Sequence, residues 1–128
     1  MHPEISAILI AVEDLGRAKK FYAEGLGCPI AKDYPTFVSF NLGEGSPELG
    51  LYTWEALAKD AGVDREGSGF RGVTLNYIVP TSERVDEVMA QAEKAGANIV
   101  KPAQKVPYGY FGYFSDPDGH LWKVTSGN

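Results

Sequence analysis

The sequence uses one order of predicted elements twice, and this repeat limits the folds that the chain can adopt. Each half predicts a strand, a helix and three further strands over roughly sixty residues, and such a period marks a repeated structural unit. The halves match where a strand leads into its helix, at Val12-Glu13-Asp14 and at Val79-Pro80-Thr81-Ser82. They also match where the helix ends, at Leu26-Gly27-Cys28 and at Ala95-Gly96-Ala97. The repeat therefore predicts tandem βαβββ modules of the α+β class.

Hydrophobic alternation and turn residues place the strands. The predicted strands are residues 5–12, 29–33, 36–42, 48–54, 72–79, 97–100, 109–115 and 120–125. A polar, Gly-rich segment separates the halves. We therefore expect internal modules at about 1–62 and 70–128 within a single domain, 1–128.

The helices have recognisable starts. Asp14 is the expected N-cap of the first helix, because its carboxylate can accept hydrogen bonds from the free N–H groups of the first turn. A short second helix is predicted over 55–61. A longer third helix follows a cap at Thr81 or Ser82 and ends at Gly96. Its predicted buried stripe consists of Val85, Val88, Met89 and Ala92.

The last two strands are joined by the turn sequence Asp116-Pro117-Asp118-Gly119. Pro117 fixes φ at the second turn position, and Gly119 can adopt a positive φ without steric cost. Aromatic and β-branched residues lie on either side, as in pleated, half-buried strands. This stretch predicts a closing β-hairpin.

Composition excludes several classes of function. The formal charge of −5 and the lack of a basic stripe argue against a nucleic-acid partner. The apolar run 7–12 is too short to span a membrane. The one cysteine, Cys28, cannot form an internal disulfide, which fits a cytoplasmic location. It is expected to be a packing residue, and His2 and His120 are expected to be exposed or turn-bonded.

The chain resembles the vicinal-oxygen-chelate superfamily, which includes glyoxalases, bleomycin-resistance proteins and extradiol dioxygenases. The landmarks are Val12-Glu13-Asp14-Leu15, Phe21-Tyr22, Leu26-Gly27, Gly96-Ala97 and the stretch from Gly112 to Trp122. The resemblance implies two sheets that form a curved cleft, with the helices outside. Because this fold hosts isomerases, lyases, dioxygenases, transferases and drug-binding proteins, it leaves the function open.

The resemblance also implies where metal-dependent members hold their ion. The first-strand ligand position is Ala7, and the fifth-strand position holds Thr74, with Asn76 two residues on. The last-strand Glu is replaced by Lys123, which leaves Glu48 as the one possible remnant. Alanine has no donor atom and an ammonium group repels a cation, whereas such metals need three or four converging ligands. We therefore predict no metal site and no cofactor.

Strand parity indicates the lining of the expected cleft, since alternate residues share a face. The candidate ligand-binding residues are Phe37, Tyr52, Trp54, Asn76, Tyr108, Tyr110, Phe111, Tyr113 and Lys123. The loop around Tyr108 could act as a lid, and Gly109 and Gly112 would allow close approach of a ligand. The alternative for each aromatic residue is that it fills the core.

Lys123 admits three interpretations. It extends to solvent, it pairs with Glu48 across the cleft, or it holds an anionic or carbonyl oxygen of a ligand. The sequence alone leaves all three open.

The function predicted from these residues is metal-independent binding of a bulky aromatic or cationic small molecule. Antibiotic sequestration at a dimer-interface cleft, as in the bleomycin-resistance members, is the favoured form, and the resemblance implies a homodimer. A glyoxalase-like lyase or isomerase, or another enzyme of the superfamily, is the alternative, with Glu48 as a base or Lys123 as an oxyanion partner. A regulatory module that binds a metabolite or a protein is the third possibility. No nucleophile–base pair is visible, so no catalytic residue is assigned.

Overall fold

The structure is a computed structural model that describes residues 5–67, 69–71 and 73–127. The chain forms two compact units that divide after Gly67. The strands are β1 (Ala7–Val12), β2 (Ile30–Tyr34), β3 (Phe37–Phe40), β4 (Glu48–Thr53), β5 (Thr74–Ile78), β6 (Asn98–Val106), β7 (Gly109–Ser115) and β8 (Leu121–Ser126). The helices are α1 (Leu15–Lys20), α2 (Trp54–Ala61) and α3 (Ser82–Ala95). Within the described ranges, no helix is long and apolar enough to cross a membrane.

Each unit contains one four-stranded mixed sheet. The strand order is β1-β4-β3-β2 in the first unit and β5-β8-β7-β6 in the second. In both units the first strand pairs in parallel with the last, and the other pairs are antiparallel. The predicted tandem βαβββ modules and the α+β class are therefore confirmed.

The first sheet buries one face against its helix. Alternate residues point to the same side of a strand, and the buried side of this sheet carries aliphatic and aromatic groups. Its fully buried side chains are Val12, Val38, Phe40, Leu49 and Leu51. Removing such side chains from water is the main stabilising contribution to a core of this size.

The first helix begins as predicted and ends in a wider turn. The Asp14 carboxylate accepts a hydrogen bond from the Arg17 N–H at 3.0 Å, which confirms the N-cap. Beyond Lys20 the chain continues over Phe21–Gly25 with π-type hydrogen bonds, and the Leu26 N–H donates to the Phe21 carbonyl. Phe21 and Tyr22 are both buried there, with their rings edge to face at 5.0 Å.

In the second unit, α3 covers the sheet with the predicted stripe. The Thr81 hydroxyl accepts a hydrogen bond from the Arg84 N–H at 3.1 Å, so Thr81 rather than Ser82 is the cap. The four predicted stripe residues are all buried: Val85, Val88, Met89 and Ala92. A methyl group at Gly112 of β7 would lie 2.9 Å from Met89 Cε and 3.0 Å from the Ala103 backbone nitrogen. Gly112 therefore serves helix–sheet packing, and not the ligand approach that the sequence suggested.

Strand β6 is longer than the sequence predicted. The sequence predicts a short strand over 97–100 and then the loop around Tyr108, but β6 continues through Pro102 to Val106. Proline is tolerated because β6 is an edge strand, where one side of the backbone needs no partner. The pairing with β7 shifts register on both sides of Lys101, which accommodates the irregularity.

The closing hairpin between β7 and β8 is confirmed, and Asp116 holds its turn. Gly119 has a φ of +89°, and its N–H donates to the Asp116 carbonyl at 3.0 Å. Asp116 is 1% exposed, and one carboxylate oxygen accepts the N–H groups of Asp118 at 2.9 Å and His120 at 2.8 Å. This buried carboxylate thus satisfies two turn amides that the strands cannot pair.

Replacing Asp116 with alanine should lower the free energy of unfolding by about 2–3 kcal/mol, the size expected when hydrogen bonds to a charged group are lost. The matched control is Asp64→Ala. The Asp64 carboxylate also accepts an N–H two residues on, from Glu66 at 3.1 Å, but in an exposed loop. That control should cost less than about 0.5 kcal/mol. Urea denaturation followed by circular dichroism measures both, and equal effects would contradict the assigned role of Asp116.

Candidate functional site

The strand register shows which residues share the face of each sheet that is turned away from its helix. We call these the first and second helix-free faces. The first helix-free face includes Leu9, Phe37, Ser39, Glu48, Gly50 and Tyr52. The second helix-free face includes Asn76, Lys101, Phe111, Tyr113, Lys123 and Thr125.

The first helix-free face is built around Gly50. A methyl group at Gly50 would lie 2.6 Å from Leu9 Cδ2 and 2.9 Å from Phe37 Cε1, so the absence of a side chain lets these two groups close over the strand. The Phe37 and Tyr52 rings lie with centroids 4.6 Å apart and an interplanar angle of 34°. The neighbouring Ser39 hydroxyl is buried, and no described residue hydrogen-bonds to it. The sequence therefore supplies one aromatic pair beside a small polar group.

The register also identifies the residues at the positions where metal-dependent relatives are expected to hold an ion. In the first module Ala7 lies opposite Glu48, and in the second module Asn76 lies opposite Lys123. Thr74, the predicted fifth-strand position, lies seven residues before the Thr81 cap, as Ala7 lies seven residues before the Asp14 cap, so Thr74 is the counterpart of Ala7. Thr74, which the sequence suggested, lies opposite Leu121.

The residues at and beside these positions do not fit a zinc, nickel or iron centre. The first module offers one carboxylate opposite a methyl group, and the second offers a neutral amide opposite an ammonium group. Zinc, nickel and iron centres use several converging imidazole, thiolate or carboxylate ligands. Across 5–67, 69–71 and 73–127, no group of three or more His, Cys, Asp or Glu side chains could hold a metal ion.

The second helix-free face contains what we call the Phe111 cluster: Tyr108, Phe111, Tyr113, Lys101 and Lys123. The Phe111 ring is 6% exposed and lies 6.2 Å from Tyr108 at 16° and 5.9 Å from Tyr113 at 83°. Lys123 Nζ lies 4.6 Å from the Phe111 ring centroid, and Lys101 Nζ lies 5.2 Å from it. Both ammonium groups therefore face the negative charge density of one aromatic ring.

Most of the predicted ligand-binding residues lie on one of the two helix-free faces or in the Phe111 cluster. Phe37 and Tyr52 pair on the first helix-free face. On the second face Asn76 lies in register with Lys123, and Tyr108, Phe111, Tyr113 and Lys123 all belong to the Phe111 cluster. Their roles as ligand contacts stay predictions.

Two of the predicted residues lie elsewhere. Tyr110 is adjacent to Phe111 on β7, so it points to the opposite side, and its hydroxyl donates to the Asp86 carboxylate of α3 at 2.6 Å. Neighbours on a strand alternate between its faces, so Tyr110 lies on the helix side, and its role as a ligand contact stays a prediction. Trp54 is the first residue of α2 rather than the last of β4, since the Thr53 hydroxyl caps the helix through the Ala56 N–H at 3.2 Å.

Lys101 was not among the predicted site residues, because the predicted strand ended at residue 100. The stretch Ile99-Val100-Lys101-Pro102-Ala103-Gln104-Lys105 does not alternate between apolar and polar residues, so it carries no clear local signal for a strand. Gly109, expected to admit a ligand, instead has a φ of +146° and leaves no room for a side chain. A methyl group there would lie 2.5 Å from the Ser126 carbonyl oxygen.

The cysteine and His120 have ordinary surroundings. Cys28 is half-buried, and this burial raises the pKa of its thiol, so the reactive thiolate is disfavoured. His120 is half-buried at the hairpin turn, where its N–H binds Asp116. His2 lies outside the described residues.

The family model of the Glyoxalase/Bleomycin resistance protein/Dioxygenase superfamily matches residues 4–124. The chain therefore belongs to this superfamily, which the sequence landmarks had indicated. None of the curated proteins is similar enough in sequence to count as a match.

Similar solved structures agree with this fold. A glyoxalase-related enzyme from Fulvimarina pelagi is 27% identical with a TM-score of 0.87, over 96% of this chain and 87% of that one. A glyoxalase/bleomycin resistance protein/dioxygenase family enzyme from Burkholderia phytofirmans PsJN is 24% identical with a TM-score of 0.85, over 98% and 100%. A lactoylglutathione lyase from Agrobacterium tumefaciens is 22% identical with a TM-score of 0.75, over 99% and 96%. The last two likenesses establish the fold alone.

The hydrogen bond between Tyr110 and Asp86 should be visible in a tyrosine titration. The bond raises the pKa of Tyr110, with smaller contributions from burial and from the carboxylate charge. Asp86→Asn should therefore move one late-titrating phenol towards its usual pKa of about 10, and Tyr110→Phe should remove it. Ultraviolet difference absorbance measures both, with Glu87→Gln as the neighbouring acid that leaves the titration unchanged. Because the folded-state pKa is raised, the stability from this bond is present below the usual pKa and is lost as pH rises through the raised value.

Proposed function

We propose that this protein is a metal-independent binding protein for a bulky, partly aromatic small molecule, and that antibiotic sequestration is its biological form. The observation that carries the proposal is the set of residues at the four family ligand positions. Ala7, Thr74 and Lys123 supply no anionic ligand, and Glu48 alone remains. The aromatic side chains on both helix-free faces provide apolar surfaces on which a small molecule can pack.

The aromatic groups suit this role for physical reasons. Phe, Tyr and Trp offer flat apolar surfaces and lose little side-chain entropy when a ligand covers them. Small-molecule sites commonly combine such surfaces with a few placed polar groups. The Phe37–Tyr52 pair and the Phe111 cluster each have this composition, with Ser39 beside the first and Asn76 beside the second.

A lyase or isomerase of the glyoxalase type would use its metal to polarise substrate oxygens and to stabilise an enediolate. The residues of this chain at the corresponding positions give no support for that chemistry.

We also propose that the protein is a cytoplasmic homodimer without nucleic-acid or membrane partners. The half-buried thiol of its one cysteine fits a reducing compartment, and the dimer is the arrangement that the bleomycin-resistance resemblance implies.

Metal-stripped protein should bind at least one aromatic drug saturably, near one ligand per chain, in isothermal titration calorimetry. The panel contains a bleomycin-type cationic glycopeptide, an anthraquinone polyketide and S-lactoylglutathione. Tyr113→Leu should weaken binding of the drug by about 1–3 kcal/mol, because truncating a contact residue in a desolvated site typically costs that much. Tyr77→Leu is the matched control, since Tyr77 lies on the helix side of the same sheet.

Two results would overturn this proposal. One is the absence of drug binding combined with a response to S-lactoylglutathione that begins only on addition of Ni²⁺ or Zn²⁺, which would indicate the lyase. The other is no binding of any compound in the panel, with or without metal, which would favour a regulatory module.

A further inference from the structure

We propose that the Phe111 cluster binds the carboxylate of a planar aromatic acid, with Lys101 and Lys123 holding the anion between them. This inference rests on the proposed small-molecule-binding function and names the charge and shape of its ligand. It thereby favours an anionic ligand over the cationic drugs that the sequence also left open.

The first support is a row of side chains that crosses the second sheet. Lys101, Tyr113, Lys123 and Asn76 lie in register on β6, β7, β8 and β5. Cross-strand neighbours have Cβ atoms about 5 Å apart, so Tyr113 stands between the two lysines. The row therefore presents ammonium, phenol, ammonium and amide groups in that order. All four can donate hydrogen bonds, and the row contains no competing carboxylate.

The second support is the position of the two ammonium groups. Both Nζ atoms lie near the same Phe111 ring, at 4.6 and 5.2 Å from its centroid. They are therefore no further apart than the screening length of about 10 Å at 0.1 M salt, and they repel one another. Among the described carboxylates of the second module, none lies within ion-pair distance of either lysine. The cation–π attraction of one phenyl ring offsets this repulsion only in part.

An anion between the lysines would remove the repulsion and form charge-assisted hydrogen bonds. A carboxylate matches two separate ammonium donors because each of its two oxygens can accept from one of them. The chain as a whole carries a formal charge of −5, so its surface in general does not attract anions. A preference for an anionic ligand would therefore be specific to this pair of lysines.

The aromatic part of the ligand follows from the rings beside the lysines. Tyr108 is 75% exposed although it stacks on Phe111, and Tyr113 is half-buried. A flat ring laid over Tyr108 or Tyr113 would cover apolar surface that is now in water, with its carboxylate directed at the lysines. Ring and charge together define an aromatic carboxylic acid as the ligand class.

The test uses three fluorescent probes that share one ring system and differ in charge: anthracene carboxylate, anthracene methanol and anthracene methylammonium. The full-length protein should bind the carboxylate about tenfold more tightly than the alcohol, the effect of one good charge-assisted hydrogen bond. The ammonium probe should bind most weakly. Added salt should reduce the preference for the carboxylate, since the lysines are partly exposed.

Substitutions of single lysines test which residues cause the preference for the carboxylate probe. Lys101→Met and Lys123→Met each keep an unbranched side chain, one atom shorter, and remove its charge. Each should therefore abolish most of the preference and leave the affinity for the alcohol nearly unchanged. Lys105→Met is the matched control. It removes the same charge from β6, but Lys105 pairs with Tyr110, whose ring points to the helix side.

The outcomes separate this inference from the function on which it rests. Saturable binding of the alcohol or the ammonium probe with no preference for the carboxylate would overturn the anion site and leave the small-molecule-binding function standing. A loss of preference in Lys105→Met as large as in Lys123→Met would also overturn it, because general surface charge would then be the cause. Failure of all three probes to bind would overturn the anion site, and the drug panel would then decide the small-molecule-binding function by itself.

Discussion

The parallel pairing of the first and last strands is the interaction on which each module depends. A parallel pair cannot be joined by a tight turn, so a helix must cross over the sheet before the chain returns. In this protein α1 and α3 follow β1 and β5, and they cover one face of each sheet. The same pairing fixes the register that places Ala7 opposite Glu48 and Asn76 opposite Lys123. Fold and candidate site are therefore consequences of one set of backbone hydrogen bonds.

The elements that could be predicted from the sequence are those with local causes. The Asp14 and Thr81 caps, the buried stripe of α3 and the turn at Gly119 each depend on residues within a few positions of one another. Side-chain oxygens at helix starts, apolar residues at helical spacing and glycine at a positive φ are strong signals because no distant contact has to be known. The internal repeat then extended these local signals to the order of the whole chain.

The parts that could not be predicted depend on contacts between distant residues. Pro102 indicates a loop by itself, and it becomes acceptable in a strand only because β6 is at the edge of its sheet. Ending the strand early hid Lys101, which the register places beside Tyr113. Tyr110 was expected in a loop, and only the extent of β7 and its partner Asp86 on another element place it on the helix side.

The lysine at position 123 bears both on metal binding and on the charge of the ligand that we propose. Where metal-dependent relatives are expected to carry a glutamate, this chain carries Lys123, so the same backbone position presents a positive charge in place of a negative one. A charge of that sign cannot serve a divalent cation, but it suits the oxygen atoms that such a cation would otherwise have bound. Phe111 adds a ring that holds the ammonium group in place, and Lys101 adds a second donor from the edge strand. The same position of the fold can thus recognise oxygen atoms through side chains, where metal-dependent relatives would use an ion.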